Sequence, residues 1–366
     1  MTLVSIVGDF HSSILPLFYE YKDEMTQHIL LYDNFSRDIR LAQQVASGIE
    51  EFCQKHKYRF RTREYILHDD TLESLAQCSK TLLSYVDSPQ DLYINITDGF
   101  ATVTTVLNHL LFKEKVNFIS YDMFNNTYTL INQNTFEKKP LQKKMNIQDH
   151  FLLKGFGVET SDIKKFAQQH EKLISLLIEK YHRPYNQFLG VDPKSAKSIA
   201  ELPKQHHLIR NIFKHYGFGA YNVKDPHLTG NIFESYIYNL IKDLDYDDIE
   251  VGFKVYEKYK NSRISNEFDI LIMKNNHLHM IECKYLNRVK LEELIYKYTA
   301  LSNILDDDGK ILLVTKKPPL YSKAMDRHEN KGLVYKRGIL NNIKVLGDVK
   351  SDPQLFVTKV KQEFGI

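Results

Sequence analysis

The sequence is poor in cysteine, has no long apolar run and carries little excess charge of either sign. Its three cysteines, Cys53, Cys78 and Cys283, are scattered through 366 residues. An odd, dispersed set excludes a disulfide framework and offers no zinc spacing, so reduced thiols are expected. No apolar stretch reaches the roughly 18 residues that a membrane span needs. The N-terminus, Met-Thr-Leu-Val-Ser-Ile-Val, lacks a basic lead-in. No signal peptide is therefore expected, and a cytoplasmic location is. A net charge of +3 neither demands nor excludes a nucleic-acid partner, because a local patch matters more than the total. G-x-G-x-x-G and G-x-x-x-x-G-K-[ST] are both absent, which removes the usual dinucleotide and ATP sites. There are no internal repeats and no low-complexity tracts.

What is present is ordinary globular composition, 43% hydrophobic and 26% charged, over a length that suits two domains. The first 145 residues alternate short apolar strands with amphipathic helices. Strands are expected at Leu3 to Val7, His28 to Asp33, Tyr58 to Leu67, Asp91 to Ile96, Val116 to Tyr121 and Thr127 to Ile131. This alternation implies a parallel sheet covered on both faces. In such sheets ligands sit beyond the carboxyl ends of the strands, where the strand order reverses. The loops after strands one and four carry Gly, Ser and Thr and feed helices. They are Gly8-Asp9-Phe10-His11-Ser12-Ser13 and Thr97-Asp98-Gly99-Phe100-Ala101-Thr102. Free N–H groups at helix starts suit phosphates. By sequence alone both loops also read as ordinary βα turns.

Residues 146–157 read as a connector. Ser161 to Tyr181 has the pattern of one long helix, broken by Arg183-Pro184-Tyr185, and a second helical segment is expected from Pro193 until Pro203 interrupts it. Gln205-His206-His207 has no carboxylate or cysteine at ligand spacing and reads as a solvated helix face.

Asn266 to Tyr285 is the most informative stretch. Phe268 to Met273 and Leu278 to Cys283 are apolar runs separated by Lys274-Asn275-Asn276-His277. An Asn pair tolerates the positive φ of a tight hairpin turn, which pairs Lys274 with His277. Counting back, Asp269 faces Glu282. Opposed residues lie about 5 Å apart, and like charges there repel. Lys284, two residues on, shares the face of Glu282. A divalent cation with oxygen ligands, Mg²⁺ or Mn²⁺, makes such a cluster favourable. Upstream, Ile232, Phe233, Tyr236, Ile237, Leu240 and Ile241 form a helical stripe with Glu234 at its edge. Glu234 reads equally as a solvated acid favoured by the helix dipole. After Lys284, Leu291, Leu294, Ile295, Tyr298, Leu301 and Leu305 repeat at helical spacing. Asp306-Asp307-Asp308-Gly309 reads as a solvated turn, and strands are expected at Lys310 to Thr315 and Asn342 to Leu346.

An acid on one strand, Glu-x-Lys on the next and an acid on a preceding helix resemble the PD-(D/E)xK nuclease core. A Rossmann-like domain ahead of that core is similar to the CARF-nucleases of type III CRISPR systems. Asp149-His150-Phe151-Leu152-Leu153-Lys154-Gly155 also resembles that family's interdomain segment. The resemblance implies an α/β fold with residues 1–145 as a Rossmann-like CARF (CRISPR-associated Rossmann fold) domain. Residues 146–205 would be a connector and helical segment, and 206–366 a restriction-endonuclease-like α/β/α domain. It implies Glu234, Asp269, Glu282 and Lys284 as catalytic residues. Glu234, Asp269, Glu282 and the Cys283 carbonyl would hold Mg²⁺ or Mn²⁺. It further implies cyclic oligoadenylate as activator, with cyclic tetra-adenylate the expected ring, DNA or RNA as substrate and a homodimer. Gly8, Asp9, Phe10, His11, Ser12, Ser13, Thr97, Asp98, Gly99, Phe100 and Thr102 would line the effector site. The fourth-strand loop departs from the family's Asn-x-Thr-Gly-Gly-Thr-Lys by losing the Lys and gaining Asp98. Two other readings stay open: an unregulated restriction or repair nuclease, and a non-catalytic CARF regulator that binds nucleic acid.

Overall fold

The computed structural model describes residues 1–8, 13–33, 39–257, 265–285, 305, 309–316, 343–347, 349 and 351–366, without the side chains of 40, 41 and 257. The chain divides into two compact units. Met1–Val158 with Val255–Ser265 forms one, and Glu159–Lys254 with Asn266–Ile366 the other.

The first unit is built on a seven-stranded sheet. Its strands are β1 (Thr2–Ile6), β2 (Gln27–Asp33), β3 (Thr62–Leu67), β4 (Leu92–Asn95), β5 (Asn117–Asp122), β6 (Thr127–Ile131) and β7 (Phe136–Pro140). Their order is β3-β2-β1-β4-β5-β6-β7. β1 to β5 are parallel, and β6 and β7 close the edge as an antiparallel meander. Alternation along β1 assigns the two faces. Leu3 joins the core under α1 (Leu15–Tyr21) and α2 (Ile39–His56), whereas Val4 and Ile6 join the core under α3 (Leu72–Leu83) and α4 (Ala101–Leu111). Each fully buried Leu or Ile contributes about 1.5–3 kcal/mol. Helices on both faces make the fold doubly wound, and the strand order reverses between β1 and β4.

The connector expected over 146–157 holds α5 (Ile147–Leu153) and the start of β8 (Phe156–Glu159). Asn146 caps α5 by accepting the Asp149 N–H at 2.7 Å. Asp149 is buried against Lys55 and His56, 3.1 and 2.9 Å away. Burial opposes its charge, but the hydrogen bonds from His56 and Lys55 outweigh it and hold the carboxyl below its usual range.

The second sheet has the order β13-β12-β11-β10-β9-β8. Its later strands are β9 (Asp248–Glu257), β10 (Ser265–Lys274), β11 (His277–Lys284), β12 (Ile311–Thr315) and β13 (Ile343–Gly347). The expected helix over 161–181 is divided. α6 (Ile163–Gln169) and α7 (Glu171–Ser175) are followed by a π turn at Leu176–Lys180 and by α8 (His182–Leu189). Pro184 lies in the first turn of α8, where its missing N–H costs nothing, so it opens a helix rather than only ending one. The stretch from Pro193 to Pro203 is not an α-helix. Ser198 bridges Asn222, and the Ile199 N–H bonds the Tyr221 carbonyl at 2.9 Å. α9 (His207–His215), α10 (Pro226–Thr229) and α11 (Asn231–Ile241) follow, and α12 (Pro353–Phe364) ends the chain. Ile232, Phe233, Tyr236, Ile237 and Ile241 of α11 pack with Ile270, Ile272, Ile281 and Cys283 of the hairpin. The helix expected after Lys284 and the turn at 306–308 lie outside the described residues.

Candidate functional site

The β10–β11 hairpin fixes the site. Asn275 and Asn276 have φ of 53° and 64°, the left-handed pair that a two-residue hairpin turn requires. Lys274 pairs with His277, and the ladder runs to Ile270–Ile281. One step further, the Cys283 N–H donates to Asp269 Oδ2 at 2.7 Å. The acid therefore enters the sheet's own hydrogen bonding at the point where the ladder ends. β11 pairs in parallel with β12, Glu282 with Leu313 and Lys284 with Thr315, so these side chains stand at a closed, central position.

Lys284 joins the two acids. Its Nζ lies 3.7 Å from Asp269 Oδ2 and pairs directly with Glu282 Oε1. Glu282 is 2% exposed. Burial disfavours the Lys284 charge, but Asp269 and Glu282 outweigh it and hold the ammonium above its usual range. Glu234, in the first turn of α11, faces the same cluster. Burial, then the Asp269 carboxylate, push its carboxyl up to about 9, against the opposing pull of Lys284. The Cys283 thiol belongs to the apolar core, and burial pushes it well above its ordinary value. Only its backbone carbonyl has the chemistry of a metal donor here.

Among the described residues no three His, Cys, Asp or Glu side chains form a ready metal cage. Mg²⁺ does not need one, because it takes one or two carboxylates and keeps several waters. Asp269 and Glu282 have the chemistry of such a donor set. Glu234 adds a half-buried carboxyl whose charge a nearby cation favours, as Lys284 already does in part.

Two further residues support this end of the sheet and carry no motif. Lys316 is buried directly after β12; its Nζ bonds Asn186 Oδ1 at 2.7 Å and lies 4.4 Å from the centre of the Tyr285 ring. Tyr285 in turn meets Phe233 and Tyr185, with ring centroids 5.0 and 6.0 Å apart. The sequence signal for Lys316 is slight, a cation closing an apolar strand.

In the first unit the β1–β4 switch point brings the two Gly-Ser-Thr loops together. Asp98 Oδ2 accepts from the Ser13 hydroxyl at 3.2 Å, and Asp98 Oδ1 from the Gly99 N–H at 2.8 Å. Gly8 lies so close that a Cβ there would stand 2.3 Å from Asp98 Oδ1. Buried Asn95 ties the loops, donating to the Ser13 carbonyl at 2.7 Å and accepting from the Thr97 N–H at 3.0 Å. The Thr97 hydroxyl accepts the Tyr121 N–H at 2.8 Å. Gly99 has φ of 100°, a conformation other residues rarely adopt. Phe100 and Thr102 begin α4 on its exposed side. Asp9, Phe10, His11 and Ser12 lie outside the described residues.

Residues 223–331 match the family model of the Card1-like endonuclease domain. No curated protein matches the sequence. Among solved structures, the chain is similar to protein VC1899 from Vibrio cholerae, with a TM-score of 0.76 and 13% identity over 100% of this chain and 98% of that one. It is similar to Can2 from Sulfobacillus thermosulfidooxidans, solved with cyclic tetra-adenylate, with a TM-score of 0.70 and 17% identity over 99% of each chain. A type III CRISPR defence DNA nuclease activated by cyclic oligoadenylate matches at a TM-score of 0.55 and 14% identity, over 88% of this chain and 47% of that one. At such identities the likeness is one of fold. The chain thus has a Rossmann-like N-terminal unit followed by a region that matches the Card1-like endonuclease domain, in a fold shared with these solved structures.

Proposed function

We propose that the protein is a nuclease switched on by cyclic oligoadenylate, cleaving DNA or RNA phosphodiesters with Mg²⁺ or Mn²⁺ in type III CRISPR antiviral defence. The observation that carries this reading is the convergence of Asp269, Glu282 and Lys284 at the end of the hairpin, with the Glu234 carboxyl alongside. Asp269, Glu282 and the Cys283 carbonyl would hold the metal, with Glu234 a direct or water-mediated ligand. The bound cation supplies neutralisation of phosphoryl charge and a lowered pKa for an attacking water. Lys284, held as an ammonium, orients that water and neutralises charge developing on the phosphate. Asp269 also keeps the β11 backbone in place through the Cys283 N–H.

In the same reading the switch point of residues 1–145 takes the activator. Gly8, Ser13, Thr97, Asp98, Gly99, Phe100 and Thr102 would surround it, and the solved complex of Can2 with cyclic tetra-adenylate supports that ring as the effector. A cyclic ligand with rotational symmetry suits the axis of a homodimer. A cytoplasmic location fits this role, and among the described residues no helix is long and apolar enough to cross a membrane.

The test is cleavage of plasmid DNA and single-stranded RNA with Mn²⁺, with and without each cyclic oligoadenylate. Cutting that needs cyclic tetra-adenylate is the expected result. Equal cutting without any ring would leave an unregulated nuclease, and no cutting under any condition would defeat the reading.

A further inference from the structure

Residues 193–224 of the second unit hold six basic side chains, Lys194, Lys197, Lys204, Arg210, Lys214 and Lys224, against one acid, Glu201. That is a surplus of five positive charges within a chain whose total is +3. All five lysines are exposed, and among the described residues none has an ion-pair partner. Glu201 stays ionised and bonds within its own turn, accepting the Lys197 N–H at 2.9 Å, which lowers its carboxyl. The flanking acids also bond to local backbone. Asp192 accepts the Lys194 N–H and Asp225 the His227 N–H, each at 2.9 Å.

Backbone contacts hold the segments that carry Lys197 and Lys214 side by side. The Ser198–Asn222 bridge zips two strands of loop together, and the Val223 N–H bonds the Lys197 carbonyl at 3.3 Å. Ala200 N–H bonds the Gly219 carbonyl at 2.9 Å, and Gly219 lies so close to the Lys214 stem that a Cβ would stand 3.1 Å from its Cγ. On α9, His207, Asn211 and Lys214 are exposed at i, i+4 and i+7, opposite the buried Ile209 and Phe213. Tyr221 adds an exposed ring, 41% accessible.

Buried aromatic contacts run from α9 to the end of β11. Phe213 packs on Phe188 at 5.1 Å, Phe188 stacks with Tyr185 at 6.2 Å, and Tyr185 meets Tyr285, the residue after Lys284. Exposed lysines without ion-pair partners cost solubility nothing and attract polyanions.

Resting on the nuclease reading, we propose that this surface, centred on Lys194, Lys197 and Lys214, is where the substrate's phosphodiester backbone docks. Its role is to neutralise phosphates and lay the strand toward Asp269 and Glu282, without reading bases.

The test uses the full chain in EDTA, so that binding is read without cleavage. A short duplex DNA and a single-stranded RNA of the same length are titrated by fluorescence anisotropy across a KCl series. The Lys194→Gln, Lys197→Gln, Lys214→Gln triple variant is compared with the unchanged chain and with the corresponding Lys→Arg triple. Loss of three phosphate contacts lowers the log–log salt slope by about 2.7 for duplex or about 2.1 for single strands, and the Arg triple restores it. The arm that responds identifies the substrate form. Under Mn²⁺ and activator, KM rises at least about tenfold with kcat kept, and cyclic tetra-adenylate binding is unchanged. Unaltered affinity and slope in a folded triple variant, or retention on anionic vesicles with no affinity for either nucleic acid, would overturn the proposal. A chain that binds through these lysines yet cleaves nothing keeps the docking surface and removes the nuclease reading instead.

Discussion

Asp269 Oδ2 and the Cys283 N–H are hydrogen-bonded at 2.7 Å, across the hairpin from one another, immediately past the last ladder pair. One carboxylate thus has two duties, closing the sheet and facing the Lys284 ammonium. The duties separate by mutation. Asp269→Asn keeps an oxygen for the Cys283 N–H and loses the charge, so cleavage is expected to fall by about a thousandfold or more with little change in melting temperature. Asp269→Ala leaves a buried N–H unpaired and costs about 1–3 kcal/mol as well. Lys284→Ala is expected to abolish cleavage and to leave activator binding intact. Single-turnover cleavage, urea melts and cyclic tetra-adenylate binding on the three variants check this; full cleavage by Asp269→Asn contradicts it.

Glu234 gives a pH signature. Its carboxyl is raised from 4.5 to about 9, by burial first and by Asp269 second. The folded chain then holds a proton that the unfolded chain has released, so the penalty grows as pH rises from 4.5 toward 9. Without metal, Glu234→Gln is expected to melt about 5 °C higher than the unchanged chain at pH 8 and at the same temperature at pH 4. Mn²⁺ is expected to reverse the order by stabilising the chain that keeps the carboxylate. A scan at both pH values, with and without Mn²⁺, decides; a variant that melts lower at pH 8 without metal refutes the assignment.

How far the sequence discloses this site depends on the range of the forces involved. The hairpin register is legible because a two-residue Asn turn and period-two alternation act over a dozen residues. β9 has the same alternation, Ile249, Val251, Phe253 and Val255 all being buried, yet Gly252 at φ 59° interrupts it and the strand does not stand out. The division of residues 161–189 into three helices and a π turn rests on tertiary contacts such as Tyr236 with Glu179, 57 residues apart, which local spacing does not carry. The meeting of Gly8, Ser13 and Asp98 is half legible. Strand alternation locates the loops, whereas Asp98 filling the space beside Gly8 depends on β1 and β4 being neighbours. Lys316 is illegible, because its partner Asn186 lies 130 residues away.

The Gly8–Asp98 contact makes a coupled pair. An added Cβ at Gly8 would overlap Asp98 Oδ1 at 2.3 Å, and Asp98 is short and pinned by Gly99 and Ser13. Gly8→Ala is expected to cost about 1–3 kcal/mol and to weaken activator binding at least about tenfold. Asp98→Ala in the same chain opens that space, so the double variant recovers most of the lost stability. A double-mutant cycle on melting and on cyclic tetra-adenylate affinity measures the coupling. Strictly additive effects would mean that the two residues do not share this space.

His28 sets an acid limit on the first unit. It is buried between Ser5 and Thr62, with ring nitrogens 3.0 and 3.4 Å from their hydroxyls, and burial lowers it to about 3 from 6.5. The unfolded chain therefore binds a proton between pH 6.5 and 3 that the folded chain refuses. Stability falls as pH drops through that window, by about 2–3 kcal/mol at pH 4.5, since each pH unit is worth about 1.36 kcal/mol. Both hydroxyls can serve a neutral amide equally well, so His28→Gln should fold, melt a few degrees lower at pH 7 through imperfect packing, and lose less stability on acidification. Urea titrations of both chains at pH 7 and 4.5 give the difference directly. If the two chains lose the same free energy between those pH values, His28 is not the group that titrates.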